Sequence, residues 1–476
     1  MKRERFFQPK KSLVKFAFAA SACVAAAFLC VAQDDRRAND GRPTVPAVTN
    51  IANFENGDGN GPIGNLVQGA DGNLYGTTGA GGASGDGTVF KVTPSGKITS
   101  LHSFTGSDGS DPQAGLALGT DGNFYGTTED GGAFGWGTIF KITPGGELTT
   151  LHSFNQYDGF FPEAVIEATD GNFYGTTWSS YTGSDGNNYG TVFKITSGGA
   201  FTTLFYMSPS EGEYPSGGLV QGSDGNLYGT AANAGVNDGA AFEATTKGLI
   251  TAEYDFTGSD GSDPAGRLVQ ASDGNFYGTT AAGGDNGLGE VFKIDPTLLS
   301  LTVLHSFAGS DGGKYPNGGL IQGTDGNLYG TTPGWDGGTI FDITSSGTLT
   351  ILYTFLTTNE GAYPYSGVVQ HTNGNFYGVT SAGGTVQAGT VYSLSMGLGP
   401  FVRLLPTSGK VGSAVHILGT NLTDITSVTF NGKAATFKPG TDTSFTATVP
   451  AGATTGTVKV VNSGGTLVSN VRFTVP

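Results

Sequence analysis

The chain has 476 residues, of which 82 are glycine, and only 13% of its residues are charged. Glycine makes up about 7% of average proteins, so this composition excludes an ordinary helical domain and favours turn-rich β structure. The formal net charge of −16 excludes nucleic acids and anionic membrane surfaces as good partners.

The first 32 residues have the pattern of an export signal. An apolar run at residues 16–32 follows six basic residues, and Cys30-Val31-Ala32 forms a small-residue cleavage site. The alternative is an uncleaved membrane anchor, although 17 residues is near the lower limit for a span. We predict a signal peptide at residues 1–32, a linker at residues 33–47, and a secreted or cell-surface protein with no transmembrane segment in its mature chain.

Cleavage at residue 32 changes both the cysteine content and the charge of the protein. Both cysteines lie inside the signal, so the mature chain has no disulfide and no thiolate site for zinc. The cut also removes six of the 23 Lys and Arg and one of the 39 Asp and Glu, which makes the formal charge −21. The mature chain therefore relies on packing for its rigidity.

A seven-residue motif, Asp-Gly-Asn-Phe/Leu-Tyr-Gly-Thr, recurs along the chain at intervals of 48 to 54 residues. Its seven copies begin at Asp71, Asp121, Asp170, Asp224, Asp273, Asp325 and Asn373. In the second period we predict strand a at residues 115–118, strand b at 123–127, strand c at 137–142 and strand d at 148–154, with Asp-Gly as the hairpin turn between a and b. We expect the motif asparagines to bond to local backbone.

Four short strands in each of seven periods predict an all-β fold, a seven-bladed β-propeller with four-stranded blades. Strand d first occurs at residues 48–54, before any complete blade, and the last period stops after strand c near Ser395. We therefore predict that strand 48–54 completes the last blade and closes a propeller that spans residues 48–395. Deleting residues 48–54 is expected to open the ring and cause aggregation.

These repeats resemble those of the secreted bacterial proteins named choice-of-anchor tandem repeat GloVer-containing proteins. The resemblance rests on Asp-Gly-Asn-Leu/Phe-Tyr-Gly-Thr and Gly-Thr-Val/Ile-Phe-Lys, and it covers roughly residues 48–395. It implies secretion or surface display and no particular activity. The shorter Gly-Asn-Leu-Tyr segment also looks like sugar-lactonase, NHL and streptogramin-lyase propellers.

A different pattern begins at Pro400, after a short linker at residues 396–399. Residues 400–476 contain about seven short alternating strands, which predicts an immunoglobulin-like β-sandwich. Segments such as Pro406-Thr407-Ser408-Gly409 and Thr448-Val449-Pro450 resemble the IPT/TIG domain. The resemblance implies a spacer or an adhesion unit, because the few basic residues are spread too thinly for DNA binding.

Each loop from strand d to the next strand a carries an acid followed by glycine, and we expect these acids around the mouth of the central channel. They are Asp58, Asp108, Asp158, Glu211, Asp260, Asp311 and Glu360. One interpretation is an Asx-type turn that caps its own backbone. The other is a cation site, because calcium prefers carboxylate and carbonyl oxygens. Asp108 with Asp111, and Asp260 with Asp263, are the most ligand-like residues, so calcium is the one cofactor suggested.

Aromatic residues concentrate in the loops from strand b to strand c and before the loop prolines. A rigid scaffold with variable loops is where binding usually resides, and aromatic rings beside carboxylates suit sugar rings. The alternative is that these rings only seal adjacent blades. The candidate ligand-binding residues are Trp136, Trp178, Tyr181, Arg267, Tyr315, Trp335 and Tyr363.

Enzymatic signatures are sparse in this sequence. His102, His152 and His305 fall at one position of three outer strands, so they cannot converge on a single metal. Arg267 stands where four other repeats have glycine, and Glu167 stands where five have glutamine; with Glu163 they could line the channel.

We therefore prefer a non-enzymatic, monomeric protein that binds extracellular glycan or a surface protein. The alternatives are a cation-assisted lactonase or polysaccharide lyase, and a purely architectural surface protein.

Overall fold

The computed structural model describes residues 46–476 except 56, 181–188, 209–212, 234–237, 298–299, 311, 335–336 and 357–358. The signal peptide and nearly all of the linker predicted from sequence lie outside the described residues. Tyr181, Glu211, Asp311 and Trp335 lie outside them as well. Across the described residues the secondary structure consists of β-strands, and no helix occurs.

The repeat region folds into seven antiparallel sheets that follow one another along the chain. Strand β1 (Ala47–Asn53) precedes them. Sheet 1 contains β2 (Val67–Gln68), β3 (Leu74–Thr78), β4 (Thr88–Val92) and β5 (Ile98–Ser103); sheet 2 contains β6 (Ala117–Leu118), β7 (Phe124–Thr128), β8 (Thr138–Ile142) and β9 (Leu148–Ser153). The order within each of these sheets is a, b, c, d, as the sequence predicts.

Sheets 3 to 5 each have a fifth, three-residue strand that the sequence did not predict. Sheet 3 contains β10 (Phe160–Pro162), β11 (Ile166–Glu167), β12 (Phe173–Ser179), β13 (Thr191–Ile195) and β14 (Phe201–Tyr206). Sheet 4 contains β15 (Glu213–Pro215), β16 (Val220–Gln221), β17 (Leu227–Asn233), β18 (Ala240–Ala244) and β19 (Ile250–Asp255). Sheet 5 contains β20 (Ser262–Pro264), β21 (Val269–Gln270), β22 (Phe276–Ala282), β23 (Glu290–Asp295) and β24 (Ser300–Ser306). In each sheet strand b is lengthened to seven residues, and the extra strand pairs with its far end.

The last sheet of the repeats is completed by β1, the first strand of the described residues. Sheet 6 contains β25 (Ile321–Gln322), β26 (Leu328–Thr332), β27 (Thr339–Ile343) and β28 (Leu349–Thr354); sheet 7 contains β29 (Val369–Gln370), β30 (Phe376–Thr380) and β31 (Thr390–Ser395). Strand β1 pairs antiparallel with β31, from Ala47 opposite Ser395 to Asn53 opposite Thr390. The two ends of the repeat region are thereby joined in one sheet.

The Asp-Gly turn between strands a and b is held by side chains of the motif itself. In sheet 2, Gly122 has φ of +82°, a conformation that favours glycine. Asp121 Oδ1 accepts a bond from the Asn123 backbone, and Asp121 Oδ2 accepts bonds from Asn123 Nδ2 and from the Tyr125 hydroxyl, both at 2.8 Å. The asparagine side chain therefore bonds to the aspartate carboxylate, where the sequence had suggested backbone groups.

A belt of side-chain amides joins neighbouring sheets at the ends of their inner strands. In six joints a side-chain oxygen of strand a accepts a bond from the backbone N–H in the preceding sheet's turn. The pairs are Glu167–Thr120, Gln221–Thr169, Gln270–Ser223, Gln322–Ser272, Gln370–Thr324 and Gln68–Thr372. We call this set the glutamine belt. Its last pair connects sheet 1 to sheet 7.

Apolar packing also continues from each sheet into the next one. Strand b aromatics stack across joints, as Tyr125 does on Phe173 with a centroid distance of 3.8 Å. Leu66, Phe90, Tyr377 and Val391 share one buried cluster, so sheets 7 and 1 pack like any other neighbours. The repeats thus form a propeller-like ring of sheets with cores between neighbours.

The C-terminal module is a sandwich of two four-stranded sheets. One contains β32 (Arg403–Leu405), β33 (Ala414–Leu418), β36 (Phe437–Lys438) and β37 (Ser444–Thr448); the other contains β34 (Ser427–Phe430), β35 (Lys433–Ala434), β38 (Val458–Asn462) and β39 (Gly465–Val468). Their inward residues, including Val415, Phe430 and Phe445, form one buried cluster. This is the immunoglobulin-like arrangement that the sequence predicts.

The sandwich contacts the turns of the first and last repeats. Thr443 Oγ1 donates to Ala70 O at 2.8 Å, and Phe401 N donates to Thr372 O at 3.1 Å. Thr372 and Thr420 bond through their hydroxyls at 3.1 Å. At the joint of sheets 1 and 2, Leu118 stands at the position of the belt glutamine and cannot make the belt bond. The Thr443 hydroxyl of the module bonds to Ala70 O in the turn of sheet 1 at this joint. The module therefore bridges the two ends of the repeat region, which a simple spacer would not do.

Candidate functional site

The loops from b to c and from d to a lie together at one end of the sheets. Isolated bridges join the two loops in several repeats, as Asn60 to Ala80, Ser110 to Asp130 and Ala362 to Ala382 do. We call this surface the loop face. The C-terminal module contacts the a–b turns at the opposite end, so it leaves the loop face uncovered.

The residue before each loop proline has a left-handed backbone on the loop face. The non-glycine examples have φ between 53° and 60°; they are Asp111, Phe161, Tyr214, Asp263, Tyr315 and Tyr363. Gly61 holds this place in the first repeat. Each non-glycine example costs of the order of 1–3 kcal/mol, so the surrounding structure must hold it in place. This strain was not predicted from the sequence.

Hydrogen bonds between neighbouring repeats fix four of these strained residues, and also Gly61. The Asp111 N–H donates to Asp86 O at 3.0 Å, and the Tyr363 N–H donates to Gly337 O at 2.7 Å. Asp263 and Tyr315 make the same bond to the preceding b–c loop. The Gly61 N–H donates to Ala388 O at 3.0 Å, from sheet 1 to sheet 7. Four of the predicted site residues, Asp111, Asp263, Tyr315 and Tyr363, therefore occupy equivalent positions on the loop face.

Aromatic rings form an arc across the loop face of sheets 2 to 4. Trp178 stacks on Tyr214 of the next repeat, with centroids 4.4 Å apart and planes 24° from parallel. Trp136 contacts Phe160 at 5.0 Å and packs against the core between sheets 2 and 3, so it helps to seal that joint. Nearby, Phe134 is 61% exposed and Tyr157 is 62% exposed. Phe134 lies in the b–c loop of sheet 2, and Tyr157 lies in the d–a loop that leads to sheet 3.

The predicted ligand residues do not gather at one point. Tyr315 borders an open groove with Leu288, Lys314 and Ala308 on the loop face of sheets 5 and 6. Tyr363 lies one joint further on, beside the exposed Tyr365. Sequence reasoning did not place Tyr157 or Phe160 in the site, and Tyr214 became a partner of Trp178 only in three dimensions. The aromatic residue before the loop proline, in Tyr214-Pro215, is the sequence pattern that could have indicated this partner of Trp178.

The loop acids bond to the outermost strands, which corrects the expectation that they surround the channel mouth. His102 Nε2 lies 2.8 Å from Asp108 Oδ2, and His152 Nε2 lies 3.0 Å from Asp158 Oδ2. Tyr254 and Tyr353 donate in the same way to Asp260 and Glu360, respectively. Each of these four acids thereby ties a d–a loop to strand d of its own sheet.

Hydrogen bonds within the turn also satisfy these carboxylates. Asp108 Oδ1 accepts bonds from the Thr105 backbone and hydroxyl. Burial opposes ionisation, but the bonds from Thr105 and His102 outweigh it and lower the pKa of Asp108. The pKa of Asp260 is lowered in the same manner against its burial, by Tyr254 and Thr257. The interpretation as a turn capped by its own aspartate is consistent with these bonds of Asp108 and Asp260.

The second acid of each Asp-Gly-Ser-Asp segment has a different environment from the first. Asp111 Oδ2 accepts a bond from Gln113 Nε2, and burial raises the pKa of Asp263. Within the described ranges, no three His, Cys, Asp or Glu side chains are arranged to hold a metal ion. Calcium binding by Asp108, Asp111, Asp260 and Asp263 stays a prediction.

Arg267 and Glu167 occupy separate environments on the inner strands. Glu167 accepts bonds from the Thr120 backbone and hydroxyl, both at 2.7 Å, and so takes the place of glutamine in the belt. Glu163 lies in the d–a loop, where its backbone bonds to Thr176. Arg267 lies two residues before β21, the inner strand of sheet 5, and is exposed to solvent.

Two sequence families match this chain. The family described as the Gloeobacter/Verrucomicrobia repeat matches residues 42–221 and 178–392, and the IPT/TIG domain matches residues 401–475. The repeat matches cover well over half of the chain, and the domain match covers the sandwich. No curated protein sequence matches the chain significantly.

The comparison with solved structures found matches of low similarity. One is the extracellular domain of a protein assigned as a hybrid two-component system of B. thetaiotaomicron, with a TM-score of 0.49 and 11% identity, over 90% of this chain and 57% of that one. This chain therefore spans little more than half of that domain's length. A protein assigned as a 6-phosphogluconolactonase of Bacteroides fragilis has a TM-score of 0.44 and 18% identity, over 67% and 86% of the two chains. TolB of Acinetobacter baumannii has a TM-score of 0.38 and 14% identity, over 61% and 62%.

At these TM-scores and identities, the similar structures say nothing about function. Within the part of the chain that the structure describes, no helix has the length and apolar character needed to cross a membrane.

Proposed function

The chain belongs to the Gloeobacter/Verrucomicrobia repeat family and carries a C-terminal IPT/TIG domain, and on this premise we propose that it is a secreted or cell-surface protein that binds extracellular carbohydrate through its loop face. The repeats and the sandwich fit a surface binding or scaffold protein. Glycan as the ligand, monomeric and non-enzymatic action, and export by a signal peptide at residues 1–32 are parts of the proposal.

We propose that the seven sheets are the seven blades of one closed propeller. Three kinds of contact between the first and last repeats support this count: strand β1 in sheet 7, the Gln68–Thr372 pair, and the Gly61–Ala388 bond. Each of these three contacts has an equivalent in other repeats: a strand d paired with strand c, a glutamine pair, and a bond to the preceding b–c loop. A closed ring also leaves no sheet edge free to pair with another molecule.

The stacked pair of Trp178 and Tyr214 is the observation that carries the proposed function. It lies on the loop face between two repeats, with the exposed rings of Phe134 and Tyr157 on the preceding repeats. Aromatic faces suit the apolar faces of sugar rings, while adjacent polar groups bond to sugar hydroxyls. Gln113, Asp111 and Glu129 supply a bonded polar cluster next to this arc.

A glycan array with the chain from residue 33 onwards tests this proposal. We expect selective binding of one class of polysaccharide, and an affinity reduced at least about tenfold by Trp178→Ala, which corresponds to ~1.4 kcal/mol. Leu249→Ala is the matched control, because Leu249 is 63% exposed in a c–d turn at the opposite end of sheet 4. Absence of any glycan signal, or equal binding by Trp178→Ala and the native chain, would contradict the proposal.

A further inference from the structure

We propose that His371 is a pH-sensitive switch whose protonation releases the C-terminal module from the turns of the first and last repeats. The switch belongs to the joint between sheets 7 and 1 and does not depend on glycan binding at the loop face. It rests on the burial of the imidazole, on the bonds that both of its nitrogens make, and on the contacts of the same turn with the module.

His371 is buried and uses both of its ring nitrogens. The residue is 3% exposed. Its Nε2 lies 2.8 Å from Gly72 O in the turn of sheet 1, and its Nδ1 lies 3.0 Å from the backbone nitrogen of Asn373. A carbonyl accepts and a backbone N–H donates, so Nε2 carries the proton and Nδ1 accepts. Only the neutral imidazole can make both bonds, because both nitrogens of an imidazolium are donors.

Two departures from the repeat motif occur together in this turn. The residue equivalent to His371 is glycine or alanine in the other six repeats, and the first residue of the motif is asparagine only here, at Asn373. In sheet 2, a Cβ atom on the equivalent Gly119 would lie 2.7 Å from Asp121 Oδ1. A carboxylate at residue 373 would therefore lie beside the imidazole and stabilise its protonated form. Asn373 removes that charge.

Asn373 keeps the turn folded without a carboxylate. Its Oδ1 accepts a bond from Asn375 N at 3.0 Å, as the motif aspartates do in other repeats, and its Nδ2 donates to the Tyr377 hydroxyl at 3.0 Å. In sheet 2 the corresponding bond runs from the tyrosine to the aspartate. The change from aspartate to asparagine therefore alters the charge beside His371 and preserves the hairpin.

No carboxylate of the described residues forms an ion pair with His371. Its titratable neighbour in sheet 7 is Tyr377, with ring centroids 5.6 Å apart. Across the joint, Asp71 bonds to side chains of its own turn, Asp442 of the module is exposed to solvent, and the linker at residues 396–399 has no charged residue. Burial, opposed by the two bonds, lowers the pKa of His371. A proton on this imidazole would therefore place an uncompensated charge in the joint.

The turn that contains His371 also holds the C-terminal module. Thr372 O accepts a bond from Phe401 N at 3.1 Å, and the Thr372 hydroxyl bonds to the Thr420 hydroxyl at 3.1 Å. Both bonds are made by the residue directly after His371. A change in the backbone at His371 therefore reaches the module through a single peptide unit.

Close packing couples the turns of both sheets to the module. Gly374 lies so near Leu398 O that a Cβ atom on it would overlap this oxygen. In the turn of sheet 1, a Cβ atom on Gly72 would lie 2.8 Å from Thr443 Cγ2 of the module. Neither turn can move far while the module stays docked.

Protonation of His371 breaks the bond from the Asn373 N–H, because a protonated Nδ1 cannot accept it. An unpaired buried charge is also costly, so the imidazolium must reach water. The turn at residues 371–374 then opens, and the bonds from Thr372 to the module open with it. The folded pKa of His371 lies below its unfolded value of 6.5, so the joint is complete above pH 6.5 and is lost as the pH falls through the folded pKa.

Hydrogen exchange by the chain from residue 33 onwards tests this switch at about pH 7.5 and about pH 5.5, with rates corrected for the intrinsic effect of pH. We expect residues 68–74 and 398–402 to exchange at least about tenfold faster at the lower pH, and β7 and β8 to keep their rates. His371→Ala should abolish this difference between the two pH values. Alanine holds the equivalent position in two other repeats, at Ala168 and Ala271, so the turn should fold.

Asn373→Asp tests the switch at the imidazole itself. A carboxylate beside His371 should raise the midpoint of its NMR titration by about one pH unit from a native value below 6.5, and the exchange difference should shrink. The His371 signal is identified by its absence in His371→Ala. His416→Gln is the control, because His416 is exposed on β33 and its Nδ1 lies 3.3 Å from the Thr446 hydroxyl. This control should exchange as the native chain does at both pH values.

Three results would overturn the proposal. The first is a native His371 that titrates at or above pH 6.5. The second is native exchange of residues 398–402 that is the same at both pH values, or a pH difference that persists in His371→Ala. The third is exchange of β7 and β8 that rises together with that of the module segments, because it would indicate general unfolding in acid.

Discussion

At the scale of single residues, the motif aspartates hold the hairpin turn together through side-chain hydrogen bonds. Burial opposes the ionisation of Asp121, but bonds from Asn123 and Tyr125 outweigh it and lower its pKa. The pKa values of Asp170 and Asp273 are lowered in the same way, because their hydrogen bonds outweigh the effect of burial. Conversely, burial and the neighbouring carboxylate raise the pKa of each partner tyrosine, as in Tyr125. The motif therefore keeps an ionised aspartate beside a neutral phenol.

These lowered pKa values predict how the stability depends on pH. A carboxylate with a folded pKa below its unfolded value stabilises the fold above the unfolded value, near pH 4, and this stability is lost as pH falls through the folded pKa. We expect Tm to fall steeply below about pH 4, and the combination of Asp121→Asn, Asp170→Asn and Asp273→Asn to flatten this fall. Glu147→Gln, in an exposed turn, should leave the slope unchanged. Equal slopes for the triple variant and the native chain would contradict this prediction.

At the scale of elements, the glutamine belt makes each inner strand depend on its neighbour. Gln68 is fully buried, accepts a bond from the Thr372 backbone at 3.0 Å and donates to the Thr372 hydroxyl at 2.8 Å. Gln322 accepts the equivalent backbone bond from Ser272 at 2.8 Å. His371 adds another contact across the same joint, because its Nε2 lies 2.8 Å from Gly72 O. The joint between the chain's two ends therefore has the same connections as an internal one.

Replacing Gln68 or Gln322 by leucine compares these two joints directly. Leucine already holds this place at Leu118, so the side chain fits an inner strand. We expect each variant to lower the free energy of unfolding by about 2 kcal/mol, because a backbone donor loses its partner. Urea denaturation measures both values. A cost at Gln322 with none at Gln68 would show that sheets 7 and 1 do not depend on each other.

The repeat spacing predicted the strands and their order because the Asp-Gly turns and apolar runs are local signals. It did not predict β10, β15 and β20, since these three-residue strands form only where a lengthened strand b offers an edge. The strained backbone of Tyr363 was not predicted either, because a bond to Gly337 O of the neighbouring repeat holds it in place. Trp136 and Trp178 were both predicted to lie in b–c loops, yet Trp136 packs against the core between sheets 2 and 3, whereas Trp178 lies in β12 and stacks on Tyr214.

At the scale of the whole molecule, strand β1 and the C-terminal module both secure the place where the repeats begin and end. Strand β1 joins sheet 7 by pairing with β31, and the module bonds to Ala70 in the first repeat and Thr372 in the last. The loop face stays uncovered at the other end. Closure at this one place holds the aromatic arc in fixed geometry, so it is the central claim on which the proposed function depends.

A disulfide between Thr49→Cys and Ser393→Cys tests this closure most directly. Thr49 lies opposite Ser393 in the pairing of β1 with β31, and the chain after residue 32 has no other cysteine. We predict nearly complete cross-linking under mild oxidation and an unfolding free energy raised by about 2–4 kcal/mol over the reduced form. The single-cysteine variants should show neither effect. A double variant that stays uncross-linked while it folds normally would contradict a ring closed by the first strand of the chain.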